Sequence, residues 1–183
     1  MLVQRLNTLQ QVMYINIMHL PPRSPFGLIQ EDLWPDKWKI LVSCVMLNCT
    51  SRKQAEKVLP EFFSRWPDAA SIVAATEVDL QSVIYPLGFK NRRSSLLKKL
   101  ASSYLEEWQD VRSLPGIGEY GSRAWEIFCK NDIGDVAPKD HALTKYWHWR
   151  IKHDQKKNDG TTREDREKGS EAEEGESRSV KAA

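Results

Sequence analysis

The chain has 183 residues, 40% of them hydrophobic and 28% charged, with a formal net charge of +2. That suits one hydrophobic core with a tail, and no apolar run is long enough to cross a bilayer as a helix. Cys44, Cys49 and Cys129 are odd in number, widely spaced and in no CxxC pair, which argues against a disulfide framework, a zinc ribbon or a Cys-ligated iron–sulfur cluster.

In chain order, residues 1–20 are apolar but interrupted by Gln, Asn and Arg, and lack a small-residue cleavage site, so no signal peptide is expected. They form a leader of uncertain order, broken by PPRSP at 21–25. WPDKWKILVSCVMLN (34–48) predicts a buried helix with Asp36 as its cap. Residues 51–66 are amphipathic, with an internal proline that should bend or split the helix. Residues 68–75 and 77–88 predict two short helices, the second stopped by Gly88. Apolar positions at 96, 97, 100, 104 and 105 have helical spacing within 91–108. Helices are also expected over 119–131 and 140–150, and no alternating strand pattern stands out. The expected class is all-α with short connections. From Ile151 onward there is no aromatic residue, and the composition predicts a disordered charged tail over 151–183. Residues 1–150 hold 19 basic and 16 acidic side chains, a mild surplus that permits a nucleic-acid partner without demanding one.

Two stretches carry more information. SLPGIGEYG (113–121) packs two glycines around one isoleucine. Gly116 and Gly118 permit positive φ and close backbone approach, and Ile117 can anchor the turn. The amides near Gly118, Glu119 and Tyr120 would then face outward at a helix N-terminus, where free donors and the helix dipole favour phosphate. A plain connector between helices reads equally well from these residues alone. DVAPKDH (135–141) places Asp140 twenty-two residues past Gly118, just before the last helix. It is either an N-cap or a carboxylate facing a groove beside the hairpin. The aromatic run Tyr146, Trp147 and Trp149 fits packing better than base stacking. KNRRSSLLKK (90–99) reads as a solvated helix face, with phosphate contact as the alternative.

Together, LPGIG at 114–118 and VAPKD at 136–140 resemble the helix–hairpin–helix (HhH-GPD) DNA glycosylase superfamily. The chain is most similar to the branch formed by the glycosylase domain of methyl-CpG-binding-domain protein four, through RSPFGLIQEDLWPDKWKILVSCVMLNCTSRKQA (23–55), PLGFKNRR (86–93), GIGEYG (116–121) and PKDHALTKYWHW (138–149). The resemblance implies a two-lobed helical glycosylase domain over 21–150, with a groove between the lobes. It implies a nuclear, monomeric base excision repair enzyme that binds duplex DNA holding a mismatched or damaged pyrimidine. Such an enzyme flips thymine or uracil mispaired with guanine and cuts the N-glycosidic bond. Neither a metal nor another cofactor is implied.

The resemblance also implies roles for single residues. Asp140 would stabilise positive charge on the sugar and activate water. Gln30 and Tyr120 would line the base pocket, and Phe89 would be a wedge in the base stack. Gly116, Gly118, Glu119, Tyr120 and Gly121 would form the phosphate-binding surface. Bifunctional relatives carry a lysine where this chain has Tyr120, so a monofunctional glycosylase is implied. Lys139 and Lys145 near Asp140 keep a glycosylase/lyase alternative open. The main departure is Cys49. The branch usually has arginine there, filling the hole left by the flipped base. Cysteine is shorter and a poor donor, which leaves a catalytically weak DNA-binding relative as a further alternative, with Cys49 as a small buried side chain.

Overall fold

The computed structural model describes residues 21–157, and within them every regular element is helical. The expected leader (1–20) and residues 158–183 of the expected tail lie outside the described residues. No helix among the described residues is long and apolar enough to cross a membrane.

A short helix that the pattern of the sequence does not announce, α1 (Ile29–Leu33), comes first. The buried Glu31 carboxylate closes its N-terminus by accepting from the backbone N–H groups of Ser24 and Leu28 and from the Ser24 hydroxyl. Helix α2 (Lys37–Leu47) starts where Asp36 accepts from the Lys39 amide at 3.0 Å, as its capping position predicts. It is buried nearly all round, the mark of a central helix. Leu41, Val42, Val45 and Met46 enter a large cluster with Phe62, Ile72, Leu80, Leu97 and Leu100. Ile40 and Cys44, one helical turn apart, enter a smaller cluster with Phe128, Leu143 and Tyr146. The two apolar clusters thus meet along one helix.

Helix α3 (Arg52–Arg65) opens with a Ser51/Gln54 capping box and runs unbroken through Pro60, against the expected split. Pro60 and Glu56 are both exposed, so water can replace the helical bond that proline omits. Asp68 and Thr76 cap α4 (Ala69–Ala74) and α5 (Glu77–Ile84). A 3-10 turn, Tyr85–Leu87, then ends at Gly88, whose φ of 73° favours glycine. Helix α6 (Lys90–Leu105) packs on α4 and α5, and Lys98 caps α4 by donating to the carbonyls of Val73 and Ala75.

After a second 3-10 turn (Val111–Ser113) and the glycine hairpin, α7 (Glu119–Ala124) widens into a π turn, Trp125–Cys129. Arg123 gathers the loop that follows by donating to the carbonyls of Ile133 and Val136, and the Trp147 indole donates to Ile133 at 3.0 Å. The last helix, α8, spans 141–157. The domain boundary expected at residue 150 therefore falls inside a helix. Arg150 is buried and pairs with Asp154 at 2.7 Å, and Trp149 stacks on His153, so one face of α8 stays in contact past the point where composition turns polar. Tyr146 is fully buried and donates to the Pro22 carbonyl, which makes it a packing residue.

Candidate active site

Helices α1 and α2, the hairpin with α7, and the start of α8 surround a cavity of about 760 Å³. Gln30, Cys49, Tyr120 and Asp140 all lie on its wall, as do Gly116, Gly118, Glu119 and Gly121 of the hairpin. Residues up to 110 positions apart in sequence thus share one surface. Of the side chains singled out from sequence for the site, Phe89 is not on this wall, and neither is Lys139.

The inner wall is closely bonded. Gln30 is 1% exposed, because α1 turns it inward beside α2. Its Nε2 donates to the Tyr120 hydroxyl at 2.8 Å and approaches Cys44 Sγ at 3.8 Å. That fixes the amide, since a buried donor left unpaired costs about 1–3 kcal/mol. Burial raises the Tyr120 phenol above its ordinary value, with the Cys44 side chain and Asp140 adding to the effect and the Gln30 bond opposing it. Burial likewise pushes the Cys44 thiol up to about 12. Both groups stay protonated at neutral pH, so the inner wall presents neutral hydrogen-bonding and apolar atoms.

Asp140 is the N-cap of the last helix and also lies on the cavity wall. Its Oδ1 caps α8 by accepting from the amides of Ala142 and Leu143 at 2.9 and 3.0 Å. Oδ2 accepts no hydrogen bond among the described residues, and the residue lies on the cavity wall. The cap holds one oxygen and leaves the other available to chemistry.

The hairpin glycines differ from one another. Gly116 has φ 81°, and a Cβ there would lie 2.7 Å from Leu96 Cδ2, so both backbone and packing require glycine. Gly118, expected to need similar freedom, has φ −87° and would place a Cβ in open space. Among the described residues nothing asks for glycine at 118. Gly121 is buried against Ile117 and Cys44, so its missing side chain serves the contact between α7 and α2. The first intrahelical bond runs from the Ser122 amide to the Gly118 carbonyl at 2.9 Å, leaving the amides of 119–121 without helical acceptors. Glu119 puts a carboxylate beside these donors, and Lys139 pairs with it at 3.0 Å.

Cys49 and Phe89 form an outer edge. Cys49 is exposed rather than a buried small side chain, and Phe89 is 68% exposed rather than core. Both have left-handed backbone, at φ 57° and 50°, which is uncommon away from glycine. Between them lies Arg93, expected on a solvated face but found buried. Its register with Leu97 and Leu100 (i, i+4, i+7) was the available signal. Cys44 was also missed, since a cysteine inside an apolar helix looks like any core residue. Arg52 lines the cavity as well, but it is engaged by Glu56 at 2.6 Å and by the Phe26 carbonyl at 2.8 Å.

Residues 42–171 match the family model described as HhH-GPD superfamily base excision DNA repair protein, well over half of the chain. The chain belongs to the HhH-GPD superfamily of base excision DNA repair proteins. The chain is similar to a methyl-CpG-binding domain protein 4-like protein of Arabidopsis thaliana, 40% identical over 129 residues, covering 70% of this chain and 29% of the relative. A thymine/uracil-DNA glycosylase of Pyrobaculum aerophilum is 32% identical over 95 residues, covering 48% of this chain and 41% of its own length. The HhH-GPD chain thus spans less than half the length of these two curated relatives. Among solved structures it is similar to a thermostable thymine-DNA glycosylase (TM-score 0.53, 20% identity, 73% of this chain and 64% of that one). It is also similar to a non-covalent endonuclease III–DNA complex (TM-score 0.52, 15% identity, 72% and 64%). At these identities the structural likeness bears on the fold, which is the all-α HhH-GPD fold.

Proposed function

We propose that this HhH-GPD protein is a monofunctional DNA glycosylase that removes thymine or uracil mispaired with guanine. The observation that carries the reading is the convergence of Gln30, Tyr120, Asp140 and the hairpin amides on one cavity. A base inside a duplex is out of reach, so it must be extruded into such a pocket. Gln30 commits its Nε2 to Tyr120, which leaves its carbonyl oxygen to accept from a donor on the base edge. The Tyr120 hydroxyl accepts from Gln30 and keeps its own proton to donate. The C1′–N bond then breaks, and the base departs with the bonding pair. Positive charge develops on the sugar, where Asp140 offers a carboxylate. Water adds to C1′, and its proton passes to Asp140 or to solvent. Unpaired amides at 119–121 and the open space outside Gly118 suit a phosphate approaching the backbone. Such contacts hold the duplex without reading its sequence. The name of the archaeal relative, a thymine/uracil-DNA glycosylase, supports the choice of base.

A tyrosine at 120 forms no imine, which supports hydrolysis without strand cleavage. Lys145 on the cavity wall is the observation that favours a glycosylase/lyase instead. The test is base release from duplexes holding one G·T, G·U or G·C pair, with and without hot alkali. Strand breaks on the mismatched duplexes only after alkali are the expected result. Breaks without alkali that vanish in Asp140→Asn would establish the lyase reading. No base release from either mismatch would overturn the proposal.

A further inference from the structure

Arg93 is 4% exposed, in the first turn of α6, yet no carboxylate pairs with it among the described residues. Its guanidinium donates only to neutral oxygens. Nη2 reaches the Asn48 carbonyl at 2.8 Å and the Thr50 hydroxyl at 2.9 Å. Nη1 reaches the Leu87 carbonyl at 2.9 Å and also the Gly88 carbonyl. A buried cation without a counter-ion is costly unless such acceptors surround it. Here they come from two separate loops, α2–α3 and α5–α6. Thr50 reinforces the join by donating to the Leu87 carbonyl at 3.3 Å.

The carbonyls chosen are informative. Asn48 O belongs to the peptide entering Cys49, and Gly88 O to the peptide entering Phe89. These are two of the three non-glycine residues with positive φ among the described residues. Left-handed backbone at a non-glycine residue is unfavourable and persists only where surrounding structure holds it. One planar guanidinium therefore fixes the peptide planes that lead into both exposed tips. We infer that Arg93 is a positioning residue that locks the Cys49 and Phe89 tips into a single rigid unit for entering the duplex. This rests on the glycosylase reading. Its specific content is that the two tips act together, and that the link matters for extruding the base and not for cutting the bond. Lysine keeps the charge but concentrates its donors on one nitrogen, so it cannot span both loops as the planar fork does.

The experiment compares single-turnover base release by wild type and Arg93→Lys on two duplexes. In one, thymine lies opposite guanine. In the other, the same thymine lies opposite an abasic site, where no partner base has to be parted from it. On G·T the variant should lose on the order of 100-fold, the scale expected when a positioning contact is displaced. On the abasic duplex it should keep the wild-type rate. An equal loss on both duplexes would mean a general structural role and would overturn the inference, as would no loss on G·T. If Arg93→Lys does not fold, Thr50→Val removes one arm of the link. It should show the same selective loss at smaller size, and equal behaviour on both duplexes would again overturn the inference. Wild type inactive on both duplexes is the separate result that removes the glycosylase reading and this inference with it.

Discussion

The inner wall of the cavity and its outer edge are built on opposite plans. Gln30, Cys44 and Tyr120 sit on helices, are mostly withdrawn from water and hold one another by hydrogen bonds. Cys49 and Phe89 sit between helices, are exposed, and take a backbone conformation that most residues avoid. Under the proposed function, a wall that distinguishes one base from another gains from being fixed before the base arrives. If the edge enters a base stack, as proposed, its side chains need to be in the open, and Arg93 beneath supplies carbonyl-bonded support to both loops. Changes to the inner wall should therefore cost stability and activity together. Changes to the edge should alter DNA engagement while leaving stability alone.

The largest effect tests a residue on the line between the two regions. Asp140→Asn should lower base release on the order of 10³-fold, by removing the charge that faces the sugar. Asparagine caps helices about as well as aspartate, so the melting temperature should hold. A large drop in stability would place Asp140 with the inner wall. Next, the hairpin divides the two plans within three residues. Gly116→Ala should destabilise the fold by about 1–3 kcal/mol in chemical denaturation, since its Cβ meets Leu96 and its φ is positive. Gly118→Ala should leave stability nearly unchanged and weaken duplex binding in a salt titration, because its Cβ points where a phosphate would come.

Alkali probes the inner wall together with other buried acids, since burial also raises Cys129 and Tyr146. The Cys44 thiol rises from an ordinary 9.0 to about 12 in the folded chain. Between these values the unfolded chain has lost this proton while the folded chain still holds it. Stability is therefore complete below pH 9 and falls toward pH 12, by up to about 1.4 kcal/mol per pH unit from this group. Urea titrations across that range should show the fall, and Cys44→Ala should make it shallower, with the remainder coming from Cys129 and the buried tyrosines. The smallest effect concerns the edge. Cys49→Arg should tighten binding to a G·T duplex several-fold, on the order of 1 kcal/mol. The site is exposed and already left-handed, so stability should not change. Unchanged affinity would mean that position 49 does not reach the space left by the base.

Much of this was legible before the fold was known. Asp36, Asp68 and Thr76 mark helix starts by local chemistry, because a cap needs only a side-chain oxygen and an amide two or three residues on. LPGIG and VAPKD announced the hairpin and Asp140 in the same way. Less legible was anything that depends on what lies opposite. Gly116 and Gly118 look alike in sequence, and only the fold tells them apart, through the positive φ at 116 and the approach of Leu96 from a different helix. Pro60 looked like a break, and its solvent exposure made it harmless. Helix α8 outran its apolar stretch because Arg150 and Trp149 found partners one turn further on.

By itself the sequence determined an all-helical chain with its hairpin and an aspartate at the start of the last helix, and the likeness of its motifs to known members pointed to the superfamily. The helices and caps follow from interactions spanning a few residues, which composition and spacing record directly. Tertiary structure alone decided that Gln30 bonds to Tyr120, that Cys44 stands beside them, and that Arg93 leaves a basic stretch to join two loops. Those outcomes depend on which faces of distant helices meet. Burial then gives ordinary residue types properties that their letters do not carry: a thiol that keeps its proton, an amide held in one orientation, and a cation satisfied by carbonyls.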